Sequence, residues 1–135
     1  SDVTLTCLMS DGVTVCASED DIYHIVFNLV ENAIKYNLPG GSVTVRVEAR
    51  GEQSILSVAD TGIGIPEADR PNIFNRFYRV DKARSRESGG TGLGLAIVRD
   101  TVERRGGTVE ADNRPEGGAV FTVRWPLARR EEADE

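Results

Sequence analysis

Asn28, Asn32 and Lys35 stand four and then three residues apart, the spacing that gathers side chains on one face of a helix, and Tyr36 follows directly. An amide oxygen is a hard ligand suited to Mg²⁺, a lysine ammonium suits phosphate oxygens, and a tyrosine ring can pack against a base. For any one of these residues a solvated helix face is the alternative reading. Taken together, two amides and a cation ending at a tyrosine are more pointed. Asp60 is the second candidate, because there an apolar strand runs into the loop Thr61-Gly62-Ile63-Gly64-Ile65-Pro66. It either caps the turn or offers its carboxylate to the amino group of a base. His24, one turn before Asn28, reads as a structural or exposed histidine rather than a ligand.

The glycines are easily misread. Gly62-Ile63-Gly64 follows an apolar strand, as a dinucleotide fingerprint does, but Glu67 fills the third glycine position. The run Gly89-Gly90-Thr91-Gly92-Leu93-Gly94 follows a charged stretch and also misses that spacing, and neither run ends in the Gly-Lys-Ser/Thr of a P-loop. What remains is glycine just ahead of a helix, which is either a turn or a place where main-chain N–H groups and the helix N-terminus favour an anion such as phosphate.

These residues have to be positioned by strands and helices, and periodicity supplies both. Val3 to Met9 and Val13 to Ala17 read as strands around an Asp11-Gly12 hairpin turn. Ser18 is a candidate N-cap for a helix whose apolar stripe is Ile22, Ile25, Val26, Leu29 and Ala33, widened by Val30 and Ile34. On this helix the Asn28, Asn32, Lys35 face is expected opposite the stripe. It ends near Asn37, before Pro39-Gly40-Gly41. Ser42 to Arg50 and Ser54 to Ala59, joined by Gly51-Glu52, form a second hairpin. A short helix is expected over Ile73 to Tyr78, and Arg79 to Gly90 is polar and without period. Gly92 to Arg105 is helical, with Leu95, Val98 and Val102 on one face. Thr108 to Ala111 and Ala119 to Pro126 close the chain as strands around an Asn113 to Gly118 turn. Residues 1–128 thus read as one α/β domain with strands in hairpins and helices over one sheet face, and the charged residues 129–135 as a disordered tail.

Composition bounds the function. Of 135 residues, 39% are hydrophobic and 28% charged, a globular balance, so neither disorder nor a need for metal or disulfide staples follows. The 16 Lys+Arg against 22 Asp+Glu give a net charge of −6, which works against a nucleic-acid or anionic-membrane surface. No apolar run reaches the length of a membrane span and no signal peptide opens the chain. The chain begins at Ser1 and leads straight into an apolar stretch, which reads as a domain cut from a longer protein. Cys7 and Cys16 sit in apolar stretches and would face each other if the first hairpin forms. Inert packing is the main reading and a redox pair the lesser one.

At this point the motifs carry a resemblance to the catalytic and ATP-binding domain of sensor histidine kinases. Asn28-Leu29-Val30-Glu31-Asn32-Ala33-Ile34-Lys35-Tyr36 resembles their N box, and Asp60-Thr61-Gly62-Ile63-Gly64-Ile65-Pro66 their first glycine box. Ile73-Phe74-Asn75-Arg76-Phe77-Tyr78-Arg79 resembles their F box and Gly90-Thr91-Gly92-Leu93-Gly94-Leu95-Ala96 their second glycine box. The four lie in family order. Gly106-Gly107 and the closing Phe121 to Pro126 strand also suit the family's C-terminal end.

The resemblance implies a Bergerat (GHKL) fold: an α/β two-layer sandwich, with a mixed β-sheet, helices packed on one face and an ATP lid between the F box and the second glycine box. The cofactors it implies are ATP and Mg²⁺. Asn32 would coordinate Mg²⁺, with Asn28 supporting the phosphate and metal region. Lys35 and Arg79 would contact phosphates, Tyr36 would line the adenine pocket, and Asp60 would bond the adenine amino group. Gly62, Gly64, Gly92 and Gly94 would let the main chain approach the nucleotide, and Thr91 and Leu93 stand in the same second glycine box. Lys82, Arg84 and Arg86 would turn positive charge toward the phosphates, and Phe74 and Phe77 would anchor the lid by packing, with plain core aromatics as the alternative.

The departures are equally informative. The family often has Asp at the position of Ser18, Ser or Thr at Asn37, and His at Arg105. The phosphoacceptor motif, His-Glu followed by Thr or Asn before Pro, is absent, since His24 is followed by Ile25-Val26. The resemblance therefore implies a phosphoacceptor and dimerisation domain elsewhere in the parent protein, a response regulator downstream, and a cytoplasmic, monomeric catalytic domain without membrane contact of its own. In related gyrase-type ATPases a Glu stands four residues before the metal-binding Asn and activates water. Here that position is Asn28. A serine kinase of anti-sigma type and a non-catalytic nucleotide-binding module are the two competing readings.

Overall fold

The computed structural model describes residues 3–9, 19–78 and 93–126. In chain order they form β1 (Thr4–Met9), α1 (Glu19–Lys35), β2 (Ser42–Arg50), β3 (Gln53–Asp60), a 3₁₀ turn (Arg70–Asn72), α2 (Gly94–Arg104), β4 (Thr108–Asn113) and β5 (Ala119–Pro126). The strands make one mixed sheet in the order β1-β2-β3-β5-β4. β1 runs parallel to β2, with Leu5 beside Val43 and Cys7 beside Val45, and every other pair is antiparallel. A parallel pair needs a crossover, and α1 supplies it. The residues expected to form the second arm of the first hairpin, together with Ser18 and Cys16, lie outside the described residues.

The registers explain why both helices sit on one face. Val43, Val45 and Val47 of β2 stand opposite Asp60, Val58 and Leu56 of β3, and Val58 and Leu56 stand opposite Phe121 and Val123 of β5. Phe121 and Val123 in turn meet Ala111 and Val109 of β4. These residues share one face and, with Ile25, Leu29 and Ala33 of α1 and Val98 and Val102 of α2, make the core. Thr44, Arg46, Glu48, Ser57, Thr122, Arg124, Glu110 and Asp112 alternate onto the other face and none is buried. A sheet whose buried apolar residues lie on one side only gives two layers.

α1 and α2 are joined at their far ends by an ion pair, in which Arg105 Nη2 lies 2.7 Å from Asp21 Oδ2. Arg105, where the family often has His, thus ties the end of α2 to the start of α1. Between Pro66 and Tyr78 the chain runs in tight turns instead of the short helix expected over Ile73 to Tyr78. The main-chain bonds here, from Asn72 to Asp69, Asn75 to Asn72 and Tyr78 to Asn75, each span three residues, and Phe77 has φ +64°, which no helix continues through. The Tyr78 hydroxyl donates to Asp69, Arg76 pairs with Asp100 of α2 at 3.1 Å, and Arg70 bridges Glu67 and Asp112.

Candidate functional site

The site gathers at one end of the helix-bearing face, where β2 begins, β3 and β4 end and β5 begins. Asp60 is the last residue of β3 and only 4% exposed. Its Oδ1 accepts two main-chain bonds, from Gly62 N at 2.9 Å and from Ala119 N at 3.1 Å. Among the described residues Oδ2 receives none. Burial pushes the Asp60 carboxyl above its ordinary value, an effect opposed by the two N–H bonds and the nearby Arg114 guanidinium. Asp60 therefore caps the turn, as one reading of the sequence had it, and does so with one oxygen.

The loop after Asp60 is seated on the end of α1. Ile63 N donates to Tyr36 O at 3.1 Å, and a Cβ on Gly62 would lie 2.2 Å from that same carbonyl oxygen. Only glycine allows the loop this close to the helix. On its other side Asn113, at the end of β4, holds Ile65. Under the loop lies a polar network that the sequence left open. Buried Asn37 donates to Ser42 O and accepts from Leu38 N and from the Thr61 hydroxyl, while Ser42 N donates to Thr61 Oγ1. Asn37 thereby fixes the end of α1 to the start of β2 and to the residue after Asp60.

The amide face of α1 is not opposite the apolar stripe but flanks it. Asn28, Asn32, Lys35 and Tyr36 are all half-buried, whereas Glu31 is exposed. The neighbour on this flank is the start of α2. A Cβ on Gly94 would come within 3.2 Å of Asn28 Oδ1, while Asn28 Nδ2 donates to His24 O at 2.8 Å. The amide is thus bonded within its own helix through nitrogen and presents oxygen to the α1–α2 seam. Lys35 Nζ lies 5.9 Å from the centre of the Tyr36 ring, within cation–π range. α2 begins after Leu93 with neither a side-chain cap nor an acidic residue in its first turn. A helix start of this kind favours an anion.

The structure therefore brings Asn28 to Gly94 across the helix seam, the Tyr36 carbonyl to Gly62, Gly62 to Asp60, and Gly64 to Asn113. Arg79, Lys82, Arg84, Arg86, Thr91 and Gly92 lie outside the described residues. Phe74 is partly buried and meets Phe121 edge-to-face, with ring centres 6.0 Å apart. Phe77 is 69% exposed, so it does not anchor by packing as expected, and its φ is +64°. Asn37, Asn113 and Arg114 carry no motif of their own. A polar residue at a strand's end beside a glycine turn is the one signal that marks Asn113.

The model of the histidine kinase-, DNA gyrase B- and HSP90-like ATPase family matches residues 17–129. The chain belongs to this family. Among curated relatives, the sensor histidine kinase WalK of Bacillus subtilis is 44% identical over 118 residues, which are 86% of this chain and 19% of WalK. The sensor-like histidine kinase SenX3 of Mycolicibacterium smegmatis is 40% identical over 126 residues, 93% of this chain and 33% of SenX3. The chain therefore spans a third or less of the length of these relatives. Among solved structures, the catalytic domain of the histidine kinase ThkA superposes with a TM-score of 0.79 at 29% identity, over 92% of this chain and 78% of that one. Full-length ShkA in complex with AMPPNP superposes with a TM-score of 0.78 at 31% identity, over 93% of this chain and 26% of that one. The fold is that of histidine kinase ATP-binding domains, the Bergerat α/β sandwich. Within the family this chain is an ATP-binding catalytic domain of the sensor histidine kinase kind.

Proposed function

We propose that this domain binds Mg·ATP at the end of the sheet marked by Asp60 and presents the γ-phosphoryl group to a histidine on a separate phosphoacceptor and dimerisation domain of the same parent protein. The phosphoryl group then passes to an aspartate of a response regulator. The observation that carries the reading is the Asp60 carboxylate, buried and fixed through one oxygen by two main-chain N–H groups. A pocket floor of that kind suits a planar base with an exocyclic amino group. Asp60 bonds that amino group, Tyr36 lines the pocket, and Gly62 and Gly64 bring main chain to the nucleotide. Lys35 and Arg79 contact phosphates with help from Lys82 and Arg84, and the segment Thr91-Gly92-Leu93-Gly94 meets them at the start of α2. The domain works in the cytoplasm and as a monomer. Among the described residues no helix is long and apolar enough to cross a membrane.

Mg²⁺ fits the donor set. Among the described residues no three His, Cys, Asp or Glu gather into a cage. Mg²⁺ does not need one, since it commonly takes one or two protein oxygens and fills its shell with phosphate and water. Asn32 would hold it through its amide oxygen, and the ion would neutralise charge on the phosphates. Transfer then asks the protein for positioning rather than for a base, because a neutral imidazole is already a nucleophile.

The seam between α1 and α2 separates this reading from a plain ATPase. Asn28, at the position where gyrase-type relatives carry the water-activating Glu, cannot accept a proton, and its nitrogen is committed to His24 O. Glu31, beside Asn32 in sequence, is exposed on another face of α1. The chain alone is expected to bind ATP and to hydrolyse it very slowly in a coupled ADP-release assay, far more slowly than it transfers phosphate to an added acceptor. Rapid multiple turnover without any acceptor would place the chain among the ATPases. The F box weighs against the anti-sigma type of serine kinase.

A further inference from the structure

We infer that Asn113, on the last position of β4, is a positioning residue for the nucleotide loop, holding Ile65 by both ends of its side-chain amide so that the loop from Asp60 to Ile65 keeps its binding shape. The inference rests on the nucleotide reading above and adds a residue that none of the four motifs contains. Asn113 Oδ1 accepts from Ile65 N at 2.7 Å, and Asn113 Nδ2 donates to Ile65 O at 2.7 Å. This is the reciprocal pairing that one strand residue makes with another, here made by a side chain to a residue 48 positions away. It uses an acceptor and a donor at once, which only an amide of this length supplies. A Cβ on Gly64, whose φ is +79°, would lie 2.9 Å from Asn113 Oδ1, so the glycine of the motif is shaped around the amide.

The rest of the β4–β5 turn holds the other end of the loop. Arg114 Nη1 donates to Asp60 O at 2.8 Å, and Ala119 N donates to Asp60 Oδ1. Gly118, with φ +90°, approaches Asp60 so closely that a Cβ would lie 2.0 Å from the Asp60 carbonyl oxygen. The loop is therefore moulded at both ends by a turn that stands far from it in sequence. Its middle rests on Tyr36 O through Ile63 N. Releasing Ile65 frees the half of the loop between that bond and Pro66, and Gly62 N, which holds Asp60 Oδ1, loses its support on that side.

Asn113→Asp separates the clamp from side-chain bulk. The carboxylate keeps the shape and can still accept from Ile65 N, but it has no donor for Ile65 O and sets negative charge against that carbonyl. Titration calorimetry with ADP and Mg²⁺, alongside amide hydrogen exchange of the nucleotide-free chain, reads the effect. Both Asn113→Asp and Asn113→Ala are expected to raise the ADP Kd about tenfold, the loss of one or two hydrogen bonds in an organised loop. The number of sites per chain stays unchanged, and exchange quickens at Ile63 and Ile65 and not across β2–β3. A merely structural role lowers the number of competent sites and leaves Kd alone, and that result overturns the inference. Parental Kd in both variants overturns it too. If the parent chain fails to bind ADP, the nucleotide reading falls and the inference with it. An Asp60→Asn control that weakens binding while both Asn113 variants bind normally rejects the clamp alone.

Discussion

Asp60→Asn is expected to weaken ADP and ATP binding at pH 7 by about 10- to 100-fold while leaving the fold at least as stable as the parent. A hydrogen bond to a charged group contributes about 1.5–3 kcal/mol, and each 1.4 kcal/mol is a factor of ten. Oδ1 has to keep accepting from Gly62 N and Ala119 N. The asparagine oxygen takes that place, and its NH₂ is turned to where the second carboxylate oxygen stood. A donor then meets the donor of the adenine amino group.

The stability side follows from linkage. Burial raises the Asp60 carboxyl above its ordinary value of 3.8 in the folded chain, so the native state takes up a proton more readily than the unfolded one. Its contribution is most favourable below the ordinary value. It diminishes as pH rises through the raised one, and the loss is complete above that. Asn carries no charge to bury. The gap in melting temperature between variant and parent should therefore open in the variant's favour across that window and stay level toward neutral pH. Unchanged nucleotide affinity in calorimetry would show the pocket to be elsewhere.

Gly62→Ala should be the more severe change for the fold. The added methyl would lie 2.2 Å from Tyr36 O and 2.8 Å from Asn37 Cα, both main-chain atoms that cannot swing aside. The loop must then lift from α1, which breaks the Ile63–Tyr36 bond and moves Gly62 N off Asp60. Overpacking costs about 1–3 kcal/mol, occasionally more, and contact with main-chain atoms puts this case at the upper end, so nucleotide binding should be lost even where the variant remains folded. Gly51→Ala is the control. Its φ of +63° also disfavours a side chain, but a methyl there meets nothing within 4 Å. It should cost about 1–2 kcal/mol and leave ADP affinity unchanged. Urea denaturation and calorimetry on both variants give the comparison, and parental binding by Gly62→Ala would contradict the close approach of loop and helix.

Local pattern made much of this legible. Alternating Val and Ile around Gly51-Glu52 defined β2 and β3, and the stripe Ile25, Leu29, Ala33 is buried as its spacing requires. Gly62 stands between the Tyr36 carbonyl and the Asp60 carboxylate, so the loop joins the N box to the first glycine box. What stayed hidden depends on distance along the chain. β1 lies parallel to β2 across a whole helix, a pairing no short-range turn signal can announce. Arg105 finds Asp21 84 residues away, and Asn113 finds Ile65 through the β4–β5 register. Asn37 looked like a departure from its family, yet it is buried and fully bonded by neighbours that only the folded loop supplies. The segment from Ile73 to Tyr78 misled for another reason. Its apolar spacing suits a helix, but a positive φ at Phe77 and bonds spanning three residues break the helix into turns.

The most direct measurement incubates this chain with γ-labelled ATP, Mg²⁺ and a panel of phosphoacceptor domains, and asks where the label goes. The account predicts acid-labile label on a histidine of an acceptor domain, transferred faster than the chain alone releases phosphate, and transfer reduced about 5- to 50-fold when Asp60→Asn replaces the parent at ATP concentrations near the parental Kd. Acid-stable label on serine, or firm nucleotide binding with no transfer to any acceptor, would contradict it.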